Sequence, residues 1–202
     1  MMDEAAIRAL VHELRSRGVD VAEIAAGGGG VWCFGSRAAG CAKPESDWDV
    51  LVIGRAPAGE HRFRRGRIDL VKVCVDDLGT WTAGELATHV AAYGVRLDPG
   101  RALALQAASA AAAPRKCAVT GARAQMLDAL WSGLGSSKRD REALRLRRDV
   151  HRAWLLSRDR PIPPTALLEQ EWAAASPRAR EAILKSILIS ARLLRAIAQL
   201  DD

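Results

Sequence analysis

The spacing of hydrophobic and polar positions changes character about halfway along the chain. From Asp3 to Arg17 the apolar residues Ile7, Leu10, Val11 and Leu14 recur at helical spacing, which predicts an amphipathic helix. The glycine run Gly27–Gly30 then breaks the chain ahead of VWCF (Val31–Phe34), an apolar stretch of strand length. Ser36–Gly40 follows as a short helix. WDVLVI (Trp48–Ile53) predicts a second strand, RAPAG a turn region, and RIDLVKVCV (Arg67–Val75) a third strand rich in β-branched residues.

From Thr82 onward the pattern is helical. TAGELATHVAAYG reads as a helix closed by Gly94, a residue type that favours helix C-termini. A short extended piece, VRLDPG, precedes helical segments at about 101–113, 121–132, 138–157, 164–174 and 177–200. Pro114, Gly133-Leu134-Gly135 and Pro161–Pro164 separate them. The change of pattern divides the chain into residues 1–105, mixing helix and strand, and residues 106–202, helical throughout.

Composition narrows this picture only a little. A chain of 202 residues with 49% hydrophobic and 27% charged residues is ordinary globular material, long enough for one domain or two small ones. No apolar run approaches the ~18 residues of a membrane span. The N-terminal helix lacks the basic head and apolar core of a signal peptide. The four cysteines, Cys33, Cys41, Cys74 and Cys117, lack C-x-x-C spacing, which argues for reduced thiols and against zinc. A cytoplasmic protein without membrane association is the expectation. The net charge of +6 suits an anionic ligand or nucleic acid, and equally suits solvated helix faces.

The candidate chemistry lies in FGSRAAGCAKPESDWDV (Phe34–Val50). Gly35-Ser36, placed between a strand and a helix, would aim backbone N–H groups and a hydroxyl at one spot, a geometry that binds phosphate oxygens. A plain turn with a serine cap gives the same pair of letters. Asp47 and Asp49, two apart at the start of a strand, face the same way. They repel unless a cation lies between them, and their hard oxygens suit Mg²⁺. A solvated turn is the plainer account of that pair. Asp69 alters the balance, because a carboxylate among Ile68, Leu70 and Val71 is costly unless paired or metal-bound. An antiparallel hairpin symmetric about Gly59 would set Asp49 directly opposite Asp69.

In order, Gly35-Ser36, Ser46-Asp47-Trp48-Asp49 and Asp69 resemble the DNA polymerase β-like nucleotidyltransferase superfamily. The resemblance is nearest to its small prokaryotic branch of minimal nucleotidyltransferases, which includes antibiotic adenylyltransferases and the antitoxin partners of HEPN toxins. It covers about residues 30–75 strongly and extends loosely to about 100. It implies an α/β (α+β) nucleotidyltransferase fold with a small mixed sheet, followed here by an all-α C-terminal bundle. It further implies that Gly35 and Ser36 hold the β- and γ-phosphates, and that Asp47, Asp49 and Asp69 bind metal, with Asp69 orienting or deprotonating the acceptor; Arg37, one step into the phosphate-binding helix, and Ser46 are further candidate nucleotide contacts. The cofactors implied are two Mg²⁺ ions, or Mn²⁺, with ATP or another nucleoside triphosphate as substrate. The reaction implied is transfer of a nucleoside monophosphate, AMP first among them, to a hydroxyl of a small molecule, a partner protein or RNA. An antitoxin that modifies or neutralises a HEPN-like partner and a non-catalytic nucleotide binder are the alternatives, and a homo-oligomer is left open.

Outside this segment the sequence offers bland readings. Arg55, Arg62, Arg64, Arg65 and Arg67 read as a charged hairpin tip or as an anion contact. Lys138–Arg160, with nine basic and four acidic residues, reads as an amphipathic helix or as an RNA-binding face. His12, His61, His89 and His151 stand isolated. Trp131, Trp154 and Trp172 read as anchors of a helical core.

Overall fold

The computed structural model describes residues 2–78, 84–98, 105, 109–187 and 189–200. The expected helix start at Thr82, most of the helix expected at 101–113 and the junction expected at 105/106 fall largely outside these residues. The chain divides into two compact units, Met1–Ala108 and Ser109–Asp202.

The first unit is built on a mixed five-stranded sheet. Its order is β3-β4-β2-β1-β5, with β1 Gly30–Phe34, β2 Trp48–Gly54, β3 Glu60–Arg65, β4 Ile68–Cys74 and β5 Val95–Arg96. Helix α1 (Glu4–Ser16) starts where the Asp3 carboxylate accepts a bond from the Ala6 N–H, satisfying a helix-end donor. Helix α2 (Val21–Ala26), which the sequence reading passed over, is capped in the same way by Asp20. Leu10, Leu14, Val19 and Val21 pack on one sheet face against Val31, Cys33, Val50, Val52, Ile68 and Leu70. The opposite face carries Trp32, Phe34, Leu51, Ile53, Val71 and Val73, packed against Val90 of helix α4 (Glu85–Tyr93). Both faces are therefore covered, which is why β1, β2 and β4 read as near-continuous apolar runs.

The expected hairpin is not what forms. β2 and β4 pair in parallel, with Asp49 level with Asp69. The chain between them returns as β3, which lies on the outer side of β4 and pairs with it antiparallel. The tight turn falls at Gly66, whose φ of 64° a glycine adopts without strain, and not at Gly59. The assumed and observed pairings share one pair of residues, Asp49 with Asp69. Within the basic stretch 55–67, read as a hairpin tip, Glu60–Arg65 forms an edge strand. Its charge is compatible with that place, because an edge strand leaves one row of side chains and one row of backbone groups to water.

At the other edge, the two-residue β5 is anchored by Asp98. Its carboxylate accepts from the Val31 N–H at 2.9 Å and pairs with Arg96 at 2.7 Å. A buried carboxylate is tolerated there because both partners are hydrogen-bonded to it.

The second unit is helical: α5 Ser109–Leu130, α6 Ser136–Ser157, α7 Thr165–Ala174, α8 Pro177–Leu184 and α9 Ala191–Ala198. Two sequence expectations are corrected. Pro114 lies within α5 instead of dividing it; in the second turn it leaves out one backbone hydrogen bond, which the rest of the 22-residue helix tolerates. The stretch expected as one helix over 177–200 is two, and α9 restarts where the Ser190 side chain accepts from the Leu193 N–H. Leu127, Trp131, Leu146, Val150, Trp172, Leu193 and Ile197 form the core, with Trp154 packed at its margin. Part of the basic run 138–160 is taken up by internal pairing. Arg147 and Arg148 both pair with Glu169, Arg145 with Glu142, and Arg160 with Glu171.

Candidate active site

β1 delivers the chain to Gly35 through extended backbone at Phe34, and helix α3 (Gly35–Ala38) begins at once. Gly35 has a φ of 72°, and a methyl group in place of its hydrogen would collide with the Asp49 Oδ2 atom. Only glycine therefore lets the turn lie directly against the first carboxylate of β2. No side chain caps α3. The Gly35 N–H donates to His89 Nε2 at 3.2 Å, so His89 is the tautomer carrying its proton on Nδ1. His89 is held beneath the turn by an edge-on contact with Phe34 and a tilted one with Tyr93. The sequence reading dismissed this histidine as isolated, because its partner lies 54 positions away and is a backbone atom.

The chain between α3 and β2 is fixed by two arginines. Arg37 donates to the carbonyls of Ser46 and Pro44 and stacks over the Trp48 ring, 4.4 Å from its centre. Arg67, from the β3–β4 turn, donates to the same two carbonyls. The Ser46 hydroxyl accepts from the Lys43 N–H at 3.0 Å. Arg37 and Ser46, singled out as nucleotide contacts, are thus placed as a clamp that sets the approach to Asp47 and Asp49.

Asp49 on β2 and Asp69 on β4 are level neighbours on adjacent parallel strands, on the sheet face shared with Leu51 and Val71. Asp47 immediately precedes β2. Burial, then the negative charges of Asp69 and Asp47, push Asp49 up to about 6, against the pull of Arg62. The crowding expected from the sequence is therefore present electrostatically. Cys33, on the other face of β1, is pushed up to about 12 by burial and by Asp49, and remains a thiol.

A cation already lies at this cluster. Arg64 on β3 is the cross-strand partner of Asp69, and its guanidinium bonds Asp47 Oδ2 at 2.7 Å and approaches Asp69 Oδ1 at 3.7 Å. Among the described residues, no three Asp, Glu, His or Cys side chains are arranged to hold a metal ion as they stand. The donor set nonetheless fits a hard divalent cation: all three groups are carboxylates, and burial together with the charges of Asp69 and Asp47 raises Asp49.

Residues 7–86 match the family model of the nucleotidyltransferase domain. Among solved structures, the chain is similar to a nucleotidyltransferase-like protein from Exiguobacterium sibiricum. The identity is 16% and the TM-score 0.44, over 94% of this chain and 70% of that one. Comparison with the curated proteins finds no match. Among the described residues, no helix is long and apolar enough to cross a membrane.

Proposed function

We propose, from the match of residues 7–86 to the nucleotidyltransferase domain model, that the protein transfers a nucleoside monophosphate, first of all AMP from ATP, to an acceptor hydroxyl. The observation that supports the reading best is the level pair Asp49 and Asp69, with the Gly35 turn set directly against Asp49. Asp47, Asp49 and Asp69 are the residues that would hold divalent cations, Mg²⁺ or Mn²⁺. When bound, such ions supply Lewis acidity toward the acceptor hydroxyl and neutralise the triphosphate and the departing pyrophosphate.

The rest of the chemistry belongs to the chain. The acceptor oxygen bonds to the α-phosphorus while the bond from that phosphorus to the bridging oxygen of the β-phosphate breaks, and pyrophosphate leaves with that electron pair. Asp69, half exposed at the mouth of β4, takes or directs the hydroxyl proton. Ser36 offers its backbone N–H and hydroxyl to the phosphates at the start of α3. The Arg37–Arg67 clamp fixes the backbone from which Asp47 and Asp49 project, and so contributes orientation instead of charge.

The acceptor classes this reading admits are a small molecule, a partner protein and RNA. The variants Asp47→Asn and Asp49→Asn test the reading. Each is expected to lose at least ~10²-fold in transfer of an α-phosphate label while its thermal unfolding remains cooperative. Full transfer by either variant removes the carboxylates from the mechanism. A second reading, a domain that binds nucleotide or neutralises a partner without transfer, draws on the Arg64–Asp47 bond, which ties up one carboxylate. Saturable nucleotide binding with no transfer to any acceptor fraction would favour it.

A further inference from the structure

Three adjacent strands set Arg64, Asp69 and Asp49 in one row. Arg64 is opposite Asp69 across the β3–β4 pair, and Asp69 is level with Asp49 across the β4–β2 pair. This row is a matter of backbone register and does not depend on one side-chain rotamer. The guanidinium leans further, to Asp47. It is the cation paired with Asp47 and approaching Asp69, whereas Arg62 on the same strand, which acts on Asp49, is paired with Glu60, and Arg67 is spent on carbonyls. We propose that Arg64 holds the place of the divalent cation, pairing with Asp47 and Asp69 until metal arrives, and then turns to the phosphates of the nucleotide. This inference rests on the metal role given to Asp47 above.

Charge drives each part of the exchange. Three carboxylates on one sheet face need a counter-charge whenever metal is absent, and a guanidinium with five donors in a planar fork provides it. Arg64 is 64% exposed at its side chain, so its ion pair is weak and solvent-screened and can yield to a divalent cation. Once displaced, the same fork lies on the strand beside the carboxylates and matches phosphate oxygens. An arginine fixed there by burial could not make this exchange, and a neutral residue would leave the metal-free cluster unbalanced.

The test is calorimetric titration of the full chain with Mn²⁺ alone, and then with a non-hydrolysable nucleoside triphosphate in the presence of Mn²⁺. For Arg64→Gln the expected result is Mn²⁺ binding about two- to five-fold tighter than in the unaltered protein, the effect of removing one exposed competing ion pair. Nucleotide binding is expected to weaken, and Arg64→Lys to fall between on both readings. Structural damage would not tighten metal binding, so the first reading separates the proposal from a loss of fold. Mn²⁺ affinity unchanged or lowered in Arg64→Gln overturns the place-holding role; tighter metal with unchanged nucleotide affinity overturns the turn toward phosphate. If the unaltered protein binds Mn²⁺ and Asp47→Asn does not, either failure belongs to Arg64 alone. If neither the unaltered protein nor Arg64→Gln binds Mn²⁺, the metal reading of the carboxylates falls together with this inference.

Discussion

Burial and the charges of Asp69 and Asp47 raise Asp49 to about 6 from an ordinary 3.8, so this residue favours its neutral form more in the folded than in the unfolded chain. In metal-free protein its contribution to stability is present below about pH 3.8 and is lost as pH rises through about 6. At neutral pH the carboxylate is a strain on the fold that a neutral isostere would relieve. Asp49→Asn is therefore expected to unfold at higher temperature than the unaltered protein in chelator at pH 7.5, by on the order of 1–2 kcal/mol after allowance for partial exposure. The same substitution is expected to remove activity, the pattern of a residue kept for function against stability. A lower unfolding temperature for Asp49→Asn in chelator would show that Asp49 serves the fold. Gly35 and Asp49 were legible as candidates from residue type and order alone. His89 was not, because nothing in the sequence marks a histidine whose partner is a distant backbone N–H.

Among the elements, β2 and β4 show how far a pattern reading reaches. Their existence and their apolar faces follow from alternation and β-branched content, whereas the direction of pairing depends on where the chain between them goes. Charge in 61–65 concealed β3, because an edge strand is only loosely constrained in composition. In the helical unit, α6 buries a histidine that the sequence left without a role. His151 lies against the rings of Trp154 and Trp172 and near Arg147, Arg152, Arg160, Glu169 and Glu171. Burial, then the charge of Arg160, lowers it from 6.5 to about 4. Its neutral form is thus built into the core. The stability this provides is complete above pH 6.5 and drains away as pH falls toward 4, by about 3 kcal/mol at full extent. Urea unfolding of His151→Gln is expected to lose most of this slope between pH 6.5 and 4. An unchanged slope would place the acid sensitivity elsewhere.

Taken as a whole, the molecule combines two units with separate cores, and they differ in how openly their sequences declare a purpose. The candidate site residues cluster in the first unit within about forty positions, which is why their order carries a family resemblance. In the second unit Arg123, Arg145, Arg147, Arg148 and Arg160 pair with Glu142, Glu169, Glu171 and Asp149, and the tryptophans pack in or beside the core. Part of the positive charge that suggested a nucleic-acid surface is thereby neutralised within the unit. The central claim concerns the bond that is made. ATP labelled at the α-phosphate or at the γ-phosphate would be incubated in parallel with the protein, Mg²⁺ and a cell extract, and the products separated into protein, RNA and small-molecule fractions. The account predicts α-label in one acceptor fraction, γ-label only in pyrophosphate, and neither outcome with Asp47→Asn. Transfer of γ-label to an acceptor, or α-label transfer that persists in Asp47→Asn, would contradict it.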